Sequence, residues 1–196
     1  MNSTGVKSSA PVVLITGASA GIGAAAVRVF AAAGYDVVLA ARRVQRLDEI
    51  AAAVRADFPA ARLFTLSCDV TSDDSVRAAF ESVRQRYGKL DVLVNNAGYG
   101  VYGTVEDTPL QTFRDNMETN FFGVIRCTQA ALPLLREAVS QNAARRWGAA
   151  IVMVSSFVGR RAMPLMSAYC ASKFALEGLS ESLRVELFDE RISVSV

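Results

Sequence analysis

The sequence predicts an α/β fold with a doubly wound, mainly parallel sheet, and three observations carry that prediction. Short apolar, β-branched runs alternate along the chain with longer stretches of helical period. The runs are apolar on consecutive residues rather than alternate ones, as in strands covered on both faces. The chain has 196 residues, room for one α/β domain and too few for two. Right-handed crossovers then favour the strand order 3-2-1-4-5-6.

The elements follow in order. Strands are expected at Val12–Thr16, Asp36–Ala41, Leu63–Ser67, Leu90–Asn95, Ala149–Ser155 and Arg191–Val196. Leu47, Ile50, Ala51 and Val54, and later Val76, Ala79, Phe80, Val83 and Tyr87, recur at three and four residues, the stripe of a helix packed on one face. Gly34 and Gly88 fall where helices should stop, while Thr71–Asp74 and Thr108-Pro109 have the chemistry of helix starts. Ala138–Gly148 is expected to be an exposed excursion. Residues 1–10 read as a polar tail and 11–196 as one domain, with no repeat, low-complexity tract or linker.

Composition excludes several function classes. A net charge of +2 with mixed signs leaves no basic footprint for nucleic acid. The N-terminal residues lack the apolar core of a signal peptide, and no apolar run is long enough to span a membrane. Cys68, Cys127 and Cys170 are far apart with no C-x-x-C pair, which argues for a reducing cytoplasm and against a thiolate metal site. The chain contains no histidine. That removes histidine triads, histidine metal sites and imidazole bases, and leaves proton transfer to Tyr, Lys, Asp, Glu or Cys.

Four segments carry chemistry. The first strand ends in Thr16-Gly17-Ala18-Ser19-Ala20-Gly21-Ile22-Gly23 and runs into a helix. Glycines there permit a tight turn, close approach to a pyrophosphate and close helix–strand packing, with the helix N-terminus facing the anion. Asn95-Asn96-Ala97-Gly98 closes the fourth strand, beside the first in the proposed order, where open α/β sheets bind ligands. Ser155-Ser156 closes the fifth strand. Tyr169 and Lys173 follow, four residues apart and so on one face of a helix.

In this order and at these spacings, the TGASAGIG, NNAG, SS and YCASK segments resemble the short-chain dehydrogenase/reductase family, from about Pro11 to the last residue. The glycine spacing is that of its single-domain branch. The resemblance implies a Rossmann-type sheet and a catalytic set of Ser156, Tyr169 and Lys173, the second serine being preferred for its distance from the tyrosine. Asn120 would be the fourth member, helping to hold a proton-relay water. The cofactor-binding set it implies is Gly17, Ser19, Gly21, Ile22, Gly23, Arg42, Arg43, Asp69, Val70, Asn96, Ala97 and Gly98, with Tyr169 and Lys173. Asp69 resembles the residue that meets the adenine ring. A homodimer or homotetramer is implied for the full-length protein.

Physical chemistry supports these roles separately. A free tyrosine has a pKa near 10, so its use near neutrality asks for a shift of about three units, roughly 4 kcal/mol. A positive charge about 4 Å away contributes about that much at an effective dielectric of 20, which Lys173 could supply. Ser156 would hydrogen-bond the substrate oxygen where negative charge develops. At the end of the second strand, where NAD enzymes of this architecture place an acid, the chain has Ala41 followed by Arg42 and Arg43. No carboxylate repels a 2′-phosphate there and Arg42 offers a bidentate grip, so NADP(H) is the expected cofactor.

The expected activity is hydride transfer between NADP(H) and a carbonyl or secondary alcohol. Tyr99, Val101, Tyr102, Val158, Met163 and Met166 are expected to line an apolar substrate pocket. A non-catalytic or redox-sensing nucleotide-binding module is the alternative, disfavoured by the intact Ser156, Tyr169 and Lys173. An epimerase is disfavoured by the glycine spacing. The expectation also includes that the chain stops before the family's seventh strand and lid segment, leaving an incomplete domain that turns over poorly.

Overall fold

A computed structural model of the protein describes residues 10–141 and 148–196. Six strands, β1 (Val12–Thr16), β2 (Asp36–Ala41), β3 (Arg62–Ser67), β4 (Val92–Asn95), β5 (Ala149–Met153) and β6 (Ile192–Ser195), form one sheet in the order β3-β2-β1-β4-β5-β6. Every pairing is parallel. This is the predicted doubly wound α/β fold, with strand boundaries within two residues of those read from the sequence.

Alternate residues of β1 show how the sheet is covered. Val12 and Leu14 enter a core with Val76, Phe80, Leu135 and Leu176, on the face packed by α3 (Asp73–Tyr87), α5 (Gly123–Gln141) and α6 (Ser167–Glu186). Val13 and Ile15 enter a second core with Val27, Leu47 and Val54, on the face packed by α1 (Gly21–Ala32) and α2 (Val44–Asp57). The unbroken apolar run therefore reflects two buried faces. The Ser72 side chain accepts a hydrogen bond from the Ser75 N–H to cap α3, and Gly88 ends it with φ 71°, both where the sequence put them. Pro109 stands at the N-cap position of α4 (Leu110–Met117) without a side-chain cap.

Two features depart from the sequence reading. The expected excursion from Ala138 is still helical as far as Gln141, with Ala138 fully buried, because α5 keeps its apolar stripe to that point; residues 142–147 lie outside the described residues, as do residues 1–9 of the expected tail. Between α4 and α5 the helix widens into a π-helical turn, Glu118–Phe122, which no sequence pattern announced. Among the described residues no helix is long and apolar enough to cross a membrane.

Candidate active site

The C-terminal ends of β1 and β4 are stitched together at the point where the strand order reverses. Thr16 Oγ1 accepts hydrogen bonds from the Asn96 and Ala97 N–H groups at 3.0 and 3.1 Å and donates to the Val94 carbonyl at 3.2 Å. Asn96 Nδ2 donates to the carbonyls of Thr16 and Gly17 at 2.8 and 3.2 Å. The chain passes so closely that a Cβ on Gly17 (φ 64°) would stand 2.8 Å from Ala97 Cα. One on Gly23 would stand 2.5 Å from both Asn96 Nδ2 and the Gly17 carbonyl oxygen. Gly23 is buried and packs α1 against the strand ends, while Ser19, Ala20, Gly21 and Ile22 face an open cavity.

That cavity, of about 570 Å³, crosses the strand ends. At one end lie Gly17, the start of α1, Ala41, Arg42 and Arg43; in the middle lie Asp69, Val70, Asn96, Ala97 and Gly98; at the other end lie Ser155, Tyr169 and Lys173. Arg43 donates to Ser19 Oγ at 3.2 Å, tying the second strand's exit to the glycine turn. Burial works to raise the Asp69 carboxyl, but hydrogen bonds from the Thr71 N–H and hydroxyl and the charge of Arg42 outweigh it and hold the pKa below the ordinary value. An ionised acid and a guanidinium thus flank that end of the cavity.

At the near end α6 presents Tyr169 and Lys173 together. Lys173 Nζ donates to the Val154 carbonyl at 2.7 Å and lies 5.8 Å from the Tyr169 ring centroid. Burial lowers the Lys173 pKa to about 8, against an opposing pull from Glu177. Ser156 begins the short 3₁₀ turn Phe157–Gly159 and its Oγ accepts from the Val158 N–H at 3.4 Å. Its neighbour Ser155 lines the cavity, with a buried hydroxyl that has no protein partner.

Asn120 lies outside the cavity and is completely buried in the π-helical turn. Its Oδ1 accepts from the Tyr99 N–H at 3.0 Å, and its Nδ2 faces the Tyr99 carbonyl, Ser172 Oγ and Asn116 Oδ1 at 3.0, 3.0 and 3.3 Å. The side chain thereby ties the loop after β4 to α6. Asn116 adds a bond to the Tyr99 carbonyl at 3.0 Å.

The expected substrate residues divide. Val158 and Met166 are buried with Cys170 and pack against Tyr169, so they support α6. Tyr102 and Met163 are exposed. Tyr99 lines the cavity and also joins Arg42, Thr71, Asp115, Glu118 and Thr119 around a second cavity beside it. Sequence reasoning named Thr16 and Ser155 within their motifs without giving either a role, and assigned none to Asn116 or Thr119, which had no local signal.

A family model described as short chain dehydrogenase matches residues 11–196. The chain belongs to the short-chain dehydrogenases. An uncharacterized oxidoreductase of Schizosaccharomyces pombe is 37% identical over 182 residues, 93% of this chain and 57% of the relative. The chain thus spans little more than half the length of that protein. Among solved structures, an NADPH-bound short chain oxidoreductase from Pseudomonas aeruginosa PAO1, described as containing an atypical catalytic center, superposes with a TM-score of 0.86 at 35% identity, over 94% of this chain and 68% of that one. A xylitol dehydrogenase with NAD+ bound reaches a TM-score of 0.85 at 31% identity, over 94% and 68% of the two chains. The short-chain dehydrogenase family and fold are thereby established, and the neighbours include structures with either nicotinamide cofactor.

Proposed function

We propose that the protein transfers a hydride between NADP(H) and a carbonyl or secondary alcohol group, with Tyr169 as proton donor and acceptor. The observation that carries this reading is one cavity with the glycine turn and Arg42 at one end and Tyr169 and Lys173 at the other. The residues fit a dinucleotide: the cavity runs across the switch point, and the first turn of α1 opens into it without a side-chain cap on its N–H groups. Arg42 and Arg43 would take the 2′-phosphate, Asp69 and Val70 the adenine side, and Asn96–Gly98 the middle. When bound, the nicotinamide supplies or takes up the hydride.

In the reducing direction Ser156 donates a hydrogen bond to the substrate carbonyl oxygen, and Tyr169 Oη gives that oxygen its proton. The Lys173 ammonium, held by the Val154 carbonyl, favours the tyrosinate left behind. Asn120 acts as a positioning residue for the Tyr99 loop and α6. The exposed Tyr102, Phe157, Met163 and Leu165 beside the catalytic end favour an apolar substrate. The buried free cysteines fit a reducing cytoplasm, and a homodimer or homotetramer remains our reading for the full-length protein. The test is oxidation of NADPH, followed by absorbance, with a panel of apolar ketones in the full-length protein. Substrate-independent absorbance across the panel, with NADPH bound, would favour a binding module instead.

A further inference from the structure

Arg160 is an exposed cation on the turn after β5, and the structure gives it a partner. Its Nε lies 3.3 Å from Glu177 Oε2, pairing an exposed arginine with a carboxylate whose side chain is only 13% exposed. The pair joins two elements of the site. Arg160 closes the 3₁₀ turn that begins at Ser156, and Glu177 sits on α6 one turn beyond Lys173. Between them there is no slack. A Cβ on Gly159 would stand 3.0 Å from the Lys173 carbonyl oxygen, 3.0 Å from Ser155 Oγ and 3.2 Å from Glu177 Cγ.

Glu177 also acts on Lys173 directly. Around that ammonium, α6 itself offers Tyr169 and Glu177, β5 leads to the neutral Val154 carbonyl, and the elements packed on α6 beside Ser172 bring only neutral amides, Asn120 of the π-helical turn with Asn116 of α4 behind it. The turn after β5 brings Arg160, already paired with Glu177. Glu177 is therefore the carboxylate placed to favour the charged form of a buried lysine, and burial is what opposes it.

We propose that Glu177 is a positioning residue of this site, strapping the Ser156–Arg160 turn to α6 through Arg160 and setting its carboxylate one helical turn from the Lys173 ammonium. The proposal rests on the oxidoreductase reading for what the site does, but its test does not. Lys7, Lys89 and Lys173 are the chain's only lysines, so lysine labelled with ¹³C at Cε gives a simple spectrum, in which K173R identifies the Lys173 signal. In E177Q, which keeps an acceptor for Arg160 and loses the charge, the Lys173 titration midpoint should move to lower pH. The neutral-amine fraction at pH 7 should rise at least about two-fold, while Lys89 does not move.

In R160A the carboxylate stays, so the Lys173 midpoint should hold or rise, and hydrogen exchange at the Gly159 and Arg160 amides should accelerate. If E177Q does not fold, the exchanged pair R160E/E177R keeps the bridge and reverses the charge beside Lys173, and its midpoint must fall. An unmoved Lys173 midpoint in the folded variant overturns the electrostatic role. Unchanged amide exchange in R160A overturns the strap. Neither readout needs cofactor or turnover, so a protein without ketone reduction would sink the functional reading and leave this result standing.

Discussion

The two ends of the cavity are built by different physics. At the nucleotide end, position is set by backbone packing: Gly17 and Gly23 lie where a single Cβ would collide with Ala97 or Asn96, and the contacts to the cavity come from turn atoms. At the catalytic end, position is set by buried polar side chains. Lys173 reaches the Val154 carbonyl, Asn120 ties Tyr99 to Ser172, and Glu177 meets Arg160. The first kind of construction tolerates no added atom; the second tolerates no lost partner. The difference teaches where each end is vulnerable, and substitutions can press on it.

The largest effect belongs to the catalytic end. In the full-length protein, Tyr169→Phe should lower turnover by roughly 10²–10⁴-fold, the usual worth of a positioned proton donor, with NADPH affinity nearly unchanged by fluorescence titration. Turnover within a few-fold of the parent would remove Tyr169 from the reaction.

Lys173 comes next, and its effect is on stability. Its folded pKa of about 8 lies below the ordinary lysine value of 10.5, so between these the unfolded chain binds more protons and stability rises with pH. Below about pH 8 both states are charged and the burial cost is fully present. The stability of the parent minus that of Lys173→Met, from urea unfolding, should therefore rise by about 3 kcal/mol from pH 8 to 10.5. A flat difference would show that burial does not penalise this amine.

At the nucleotide end, Arg42→Ala should weaken NADPH binding by roughly 1.5–3 kcal/mol and leave NADH binding unchanged. Equal losses for both cofactors would show that Arg42 does not select the 2′-phosphate. Gly23→Ala should cost about 1–3 kcal/mol of global stability, since the new methyl meets Asn96 Nδ2 and the Gly17 carbonyl oxygen at 2.5 Å. A thermal melt matching the parent would mean that the junction yields, and the contrast between the two ends would weaken.

How far the sequence could be read follows the same division. The glycine turn, the six strands and their order were legible because each rests on local pattern: runs such as Val12–Thr16 report burial on both faces, and Gly88 reports a left-handed helix end. Tyr169 and Lys173 were legible because one helical turn brings them together. Asn120 was legible by resemblance as a candidate, but its buried, fully engaged amide was not, since its partners stand 21 and 52 residues away.

Tyr99 shows the same boundary from the other side. Its position after Gly98 suggested a cavity wall, and it does line that cavity, but only the fold shows that it also borders a second cavity with Arg42 and Thr71. Arg160 reads as surface charge until α6 brings Glu177 against it. The sequence by itself determined the fold class, the cavity's location and most of its lining, because periodicity and glycine placement are properties of neighbouring residues. Only the tertiary structure decided which polar side chains hold that lining in place, because a hydrogen bond between distant residues leaves no period in the chain.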